Sequence, residues 1–217
     1  MLDIKILKKP ARKISKNNGL PLRNLIKGGN FKLPKTTAIF NMSSTFECAS
    51  LAKGMCQAIV EKKLVCYARK AEIQYPNVLP YRRRQEKFWK ETDAIEFATQ
   101  FLFINALKRK PFKIIRFNEA GDFHTQACVD KVEAIAKILA KYGVKTYLYT
   151  SRKDLDFSKV EHFVINASGF EHKDLTNDFR LVQNLEDVPK GYDVCEQDCT
   201  VCARCSVKGA KNVIVQH

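Results

Sequence analysis

Four cysteines stand close together near the end of the chain, Cys195, Cys199, Cys202 and Cys205, in a C-x3-C-x2-C-x2-C run. Four thiols within eleven residues are hard to account for as packing. Thiolates are soft ligands, and a segment this short turns them inward around one soft ion or cluster. A second set, Cys48, Cys56 and Cys66, has intervals of nine and seven intervening residues when read toward the N terminus. That spacing is open to three readings: ligands of a second metal, a remote ligand for the first, or buried thiols. Cys128 sits in an apolar helical pattern with Val129 and Val132 and reads as core.

Two spacings overlap in the terminal run. Cys199, Cys202 and Cys205 form C-x2-C-x2-C, by which ferredoxins hold irons of a [4Fe–4S] cube. Cys195, Cys199 and Cys202 form C-x3-C-x2-C, which resembles the radical S-adenosylmethionine motif moved to the far end of a chain. The first arrangement, completed by a fourth thiolate, gives a redox or structural cluster. The second leaves one iron open and gives an enzyme. Zinc is the rival metal, although structural zinc favours paired C-x2-C elements separated by a longer insert. A zinc-stabilised nucleic-acid-binding protein is therefore the third expectation.

Bulk properties narrow the setting. The chain of 217 residues reads as one domain with an appendage. Its N terminus lacks an apolar stretch of signal-peptide length, so the cytoplasm is expected and eight cysteines read as ligands rather than disulfides. No apolar run is long enough to span a bilayer, so no membrane is expected. The net charge of +15 suits a polyanion such as nucleic acid, or an acidic redox partner.

Other residues could serve a site. Arg116, Asn118, Glu119 and Asp122 fall at a strand end and its turn, where Asp122 is either a helix cap or a substrate-orienting carboxylate. His124 adjoins them. Tyr149, Thr150, Ser151 and Arg152 end the next strand, and Asn166 and Ser168 the one after. Arg82, Arg83 and Arg84 interleave with Tyr81, Phe88 and Trp89, a mixture that either binds nucleic acid or forms a solvated helix face.

The elements that must position these groups alternate. TTAIFNMSS, FKIIRFN, VKTYLYTS, EHFVINAS and the weaker FRLVQNL read as strands. Helices are expected from about Ala49 to Val60, through a long region from about Pro80 that Pro111 ends, and over TQACVDKVEAIAKILAKY. Alternation implies a mainly parallel sheet: an α/β domain, a partial or open (β/α) barrel, over residues 36–217. Residues 1–35, with ten Lys or Arg and one acid, read as an irregular basic arm. It either wraps the domain through Ile6, Leu20, Leu22, Leu25 and Ile26 or binds phosphates. The functional loops should lie at the carboxyl ends of the strands.

KLPKTTAIFNMSSTFEC, Cys66-Tyr67-Ala68, NVLPYRRRQEKFW, RFNEAGDF, TYLYTSR and the closing cysteines together resemble the phage "gene product 88" family, from about Lys32 to Cys205. The resemblance implies an iron–sulfur protein on a barrel-like α/β fold, with distant likeness to radical enzymes. It implies no particular reaction.

Overall fold

The structure is a computed structural model that describes residues 22–56, 59–60, 63–64, 66–170 and 177–215. Its main element is an eight-stranded sheet in the order β1-β2-β5-β6-β7-β8-β10-β9. The strands are β1 (Lys27–Gly28), β2 (Thr37–Phe40), β5 (Ile114–Phe117), β6 (Lys145–Thr150), β7 (Val164–Ser168), β8 (Asn177–Val182), β9 (Asp193–Val194) and β10 (Lys211–Val215). Within this sheet only the β1–β2 pairing is antiparallel. The edge strands β1 and β9 do not pair with each other, so the sheet stays open. A separate hairpin joins β3 (Ile59–Val60) to β4 (Lys63–Leu64).

Five α-helices are described: α1 (Ala49–Ala52), α2 (Tyr67–Gln74), α3 (Val78–Glu91), α4 (Ala94–Ala106) and α5 (Gln126–Ala140). In α5, Val129, Val132, Ile135, Ala136 and Leu139 recur at helical spacing and are all buried. They meet Ile115 and Phe117 of β5 and Leu148 of β6 in the core. Phe40, Phe88, Trp89, Phe97 and Phe117 fill the same core with ring contacts of 5.0 to 6.3 Å. Successive strand residues point to opposite faces. Arg116, Tyr147 and Tyr149 therefore lie on the other face, away from α3, α4 and α5.

Several expectations change. The long helical region is two helices, because the Asp93 side chain accepts from Glu96 N–H at 2.7 Å and starts α4 afresh. The helix expected to Val60 ends at Ala52, where Gly54 adopts φ +66° and the chain goes on to the β3–β4 hairpin. The terminal cysteines, which come after every strand that the sequence pattern discloses, are followed by a further one. They connect β9 to β10, which inserts between β8 and β9. Part of the arm belongs to the domain: Leu22 and Leu25 are fully buried, Ile26 packs on the core, and β1 extends the sheet. Ile6 and Leu20 lie outside the described residues.

Candidate metal centre

The carboxyl ends of β2, β5, β6 and β7 surround a cavity of about 130 Å³. Its wall includes Cys48, Cys56 and Cys66 together with Tyr67, Asn118, Asp122, Tyr149 and Ser168. The three upstream cysteines, separated in sequence, thus share one cavity. Cys48 is the N-cap of α1 and Cys66 the N-cap of α2, both with extended backbone. A helix N-terminus favours negative charge, and so a thiolate or an anionic thiolate centre. Burial works against this at Cys48, pushing its thiol up, while hydrogen bonds from Ser50 and the Leu51 backbone pull it down.

Asp122 ties the wall together. Its carboxylate accepts from Ser50 Oγ at 2.6 Å, Ser151 N–H at 2.8 Å and Phe123 N–H at 2.8 Å. One buried group therefore joins the loops after β2, β5 and β6. Burial raises its pKa, and these hydrogen bonds oppose the rise. Asp122 is not the helix cap: α5 starts at Gln126 and its N-cap is Thr125. Gly121 before it has φ +73°, and an added Cβ would lie 2.6 Å from the Ser43 carbonyl oxygen, so only glycine lets these loops meet. Asn118 also has positive φ, 57°, and its Oδ1 accepts from Met42 N–H at 3.2 Å.

A buried ion pair holds the other side. Arg82 Nη1 donates to Glu72 Oε1 at 2.8 Å and to Ala68 O at 2.9 Å, and Nη2 lies 3.8 Å from Glu119 Oε2. Glu72 also accepts from Thr45 N–H at 2.9 Å, in the loop leading to Cys48. Glu119 Oε1 accepts from Asn30 Nδ2 at 2.7 Å, and Tyr67 donates its hydroxyl to Glu119 O at 2.7 Å. The network anchors α2, whose N-cap is Cys66, to the β2 and β5 loops.

The terminal cysteines lie elsewhere on this edge, against the face of the sheet that α3, α4 and α5 leave uncovered. Asn166 Nδ2 donates to Cys205 O at 2.9 Å, and Lys32 Nζ contacts Gln197. Burial pushes the Cys205 thiol up to about 11, against a hydrogen bond with Tyr149 and the charge of Arg116. Cys199 is raised for the same main reason, and Cys202 is exposed. Arg116 stacks 5.0 Å from the Tyr149 ring centroid, and its Nε is buried without a hydrogen-bond acceptor. Its charge is felt by Tyr67, beside Cys66, and by Cys199 and Cys205.

Other expected residues sit apart from the cavity. Arg152 is buried, pairs with Asp154 at 2.7 Å and donates to the Phe123 and His124 carbonyls. His124 Nε2 stands 3.5 Å from Glu86 Oε1. Arg82 is out of reach of a surface phosphate, Arg83 pairs with Glu47 at 2.8 Å, and Arg84 lies 6.0 Å from the Tyr81 ring. Cys128 packs against the core, with its sulfur 3.5 Å from Trp89 Nε1. Sequence reading missed Ser50, Glu72 and Tyr67 as site residues. Their only signal is that Ser50 and Tyr67 neighbour a cysteine.

The donor chemistry of the cavity fits a thiophilic centre, with three thiols and, among the described residues, no histidine on its wall. The ligand shell is not closed: among the described residues no group of three or more His, Cys, Asp or Glu is arranged to hold a metal ion. Among them, too, no helix is long and apolar enough to cross a membrane.

The chain matches the gene product 88 family over residues 5–195. It belongs to that family. The match takes in most of the basic arm, which the sequence resemblance left out, and it stops at Cys195. The gene product 88 region therefore holds the whole cavity wall but leaves Cys199, Cys202 and Cys205 beyond its end. No curated protein and no solved structure matches the chain.

Proposed function

We propose that the protein carries a [4Fe–4S] cluster in the cavity at the carboxyl edge of the sheet, with Cys48, Cys56 and Cys66 as its thiolate ligands. The observation behind this reading is that three cysteines from separate elements line one cavity, where open α/β sheets bind ligands. Its volume, about 130 Å³, is below the roughly 300–1,000 Å³ of small-molecule pockets and suits a compact group. Such a cluster supplies one-electron chemistry and, with three protein thiolates, keeps one iron open to a further ligand. The chain's own contribution is to fix the thiols. Asp122 and Ser50 hold the Cys48 loop, and the Arg82–Glu72 pair holds the start of α2 beside Cys66.

A second reading is a radical S-adenosylmethionine-like enzyme. It is favoured by the polar remainder of the wall, where Asn118, Glu119, Asp122, Thr150 and Ser151 offer hydrogen bonds to a bound molecule.

Anaerobically purified protein should be brown, with about four iron and four sulfide per chain. Replacing Cys48, Cys56 or Cys66 singly by Ala should strip the colour, while joint replacement of Cys199, Cys202 and Cys205 should leave it. The reverse pattern would move the cluster to the terminal run, and a colourless protein holding zinc would end the proposal. A spectral change of the reduced cluster on adding S-adenosylmethionine would select the second reading.

A further inference from the structure

Along β2, β5 and β6 the opposite edge of the sheet carries charge of one sign, whereas the segments entering β7 and β8 bring Glu161 and Asp178. The segments entering the first three strands bring Lys35 before β2, Lys108, Arg109, Lys110 and Lys113 between α4 and β5, and Lys145 at the start of β6. The ladder sets them side by side: Lys113 N–H donates to Thr36 O at 2.9 Å, and Lys145 N–H to Lys113 O at 3.0 Å. Adjacent strands are roughly 4.8 Å apart, so the cations form a compact row. All six are exposed.

Acids are absent from these segments. The sequence has none at 4–46, 97–118 or 134–153. Among the described residues none of the six forms an ion pair, whereas elsewhere several surface cations are matched, as in Lys53–Asp154, Arg83–Glu47, Lys90–Glu86 and Arg204–Asp193.

The bland account is that the lysines after α4 and α5 complement the negative helix ends. Each such interaction is worth about 0.3–1 kcal/mol within the last turn. That accounts for one or two of the charges and leaves Lys35, Lys113 and Lys145 unexplained. A bilayer surface is less well matched, because among the described residues of these segments Leu107 is the one large aliphatic side chain that is exposed. Tyr142, 45% exposed in the loop before Lys145, adds a ring of the kind that stacks on bases.

We propose that this edge docks the phosphate backbone of nucleic acid. The assignment is independent of the cluster, since it uses the other end of the strands and none of the cysteines.

The test is fluorescence anisotropy of the full chain with single-stranded DNA, single-stranded RNA and duplex DNA, across about 50 to 200 mM salt. Counterion release gives a slope of log affinity against log salt of about −0.7 per contacted phosphate for single strands and about −0.9 for duplex. A Lys108→Gln/Arg109→Gln/Lys110→Gln variant should flatten the slope by about 2 on single strands and nearly 3 on duplex, and weaken binding at least tenfold. A control variant, Lys70→Gln/Lys153→Gln/Lys190→Gln, removes the same charge from other exposed positions and should bind nearly as the parent does. Equal weakening by both variants would overturn the proposal. So would binding to anionic vesicles with none to nucleic acid, or loss on deleting residues 1–21 with no change in the patch variant.

Discussion

Replacing Gly121 by Ala tests whether the GDF turn closes on the loop after β2 as described. At φ +73° the added Cβ would lie 2.1 Å from Ser43 Oγ, 2.6 Å from Ser43 O and 3.0 Å from Ser43 C. The hydroxyl can rotate away, but the carbonyl belongs to a fully buried residue and cannot yield cheaply. Two effects add. A left-handed conformation costs a non-glycine residue about 1–2 kcal/mol, and overpacking adds about 1–3 kcal/mol. The variant should lose about 2–5 kcal/mol. Gly54→Ala is the internal standard: φ is +66°, with nothing within 4 Å of the added Cβ, so only the conformational part applies. Urea unfolding of the metal-free chain reads the difference. At a slope of about 2 kcal/mol per molar urea, the extra 1–3 kcal/mol puts the Gly121 midpoint about 0.5–1.5 M below that of Gly54→Ala. Coincident midpoints would mean that the two loops do not touch, and Asp122 would lose its assigned place against Ser50.

Two further outcomes follow from charges and thiols. Arg82→Met should cost about 3–5 kcal/mol, because Glu72 is left buried without its cation, and adding Glu72→Leu should restore much of the loss; a single variant as stable as the parent in urea would contradict the buried pair. In the metal-free reduced chain at mildly alkaline pH, iodoacetamide followed by peptide mapping should find, within the terminal run, Cys202 modified first and Cys205 last, since burial holds Cys205 as a thiol up to about 11. The raised value means that the folded chain binds the Cys205 proton more tightly than the unfolded one. Its contribution to stability is therefore intact below pH 9.0 and declines as pH climbs toward about 11. Early modification of Cys205 would refute its burial.

What the sequence discloses is what local pattern controls. The runs FKIIRFN, VKTYLYTS and EHFVINAS are β-branched and aromatic, and each forms a strand of the parallel sheet. β1 and β9 are two residues long and exist only because a longer neighbour offers its edge, so no periodicity announces them. Arg82, Glu72 and Arg152 look like surface residues in the chain and are buried in the fold, because Arg82 and Glu72 pair across two helices and Arg152 donates to the distant Phe123 and His124 carbonyls. The cysteines show the same bias. Cys195 to Cys205 stand out because they are near in sequence. Cys48, Cys56 and Cys66 are near only in space, around a cavity that the loops of four strands create. Of the pocket candidates, Asn118, Asp122 and Tyr149 line that cavity, whereas Arg152 is spent on Asp154.

The two cysteine sets differ in what holds them, and this bears on which is built for a fixed centre. The cavity wall is fastened without any metal: Asp122 joins three loops, and the Arg82–Glu72–Glu119 network joins α2 and α3 to two of them. Removing a metal from that cavity should leave the surrounding scaffold folded, with Cys48 and Cys66 still at their helix starts. The terminal run has thinner support. Val201 is 81% exposed, Cys202 is exposed, and Cys205 is fixed through its carbonyl to Asn166. A metal on that run would supply its order as well as occupy it, because binding energy at a site that is not preformed is also folding energy. A preformed wall suits a centre that must keep its geometry while its charge changes. Arg116, half-buried and 5.0 Å from the Tyr149 ring centroid, adds a permanent positive charge that acts on Cys199 and Cys205 and would favour an anionic group bound at that edge.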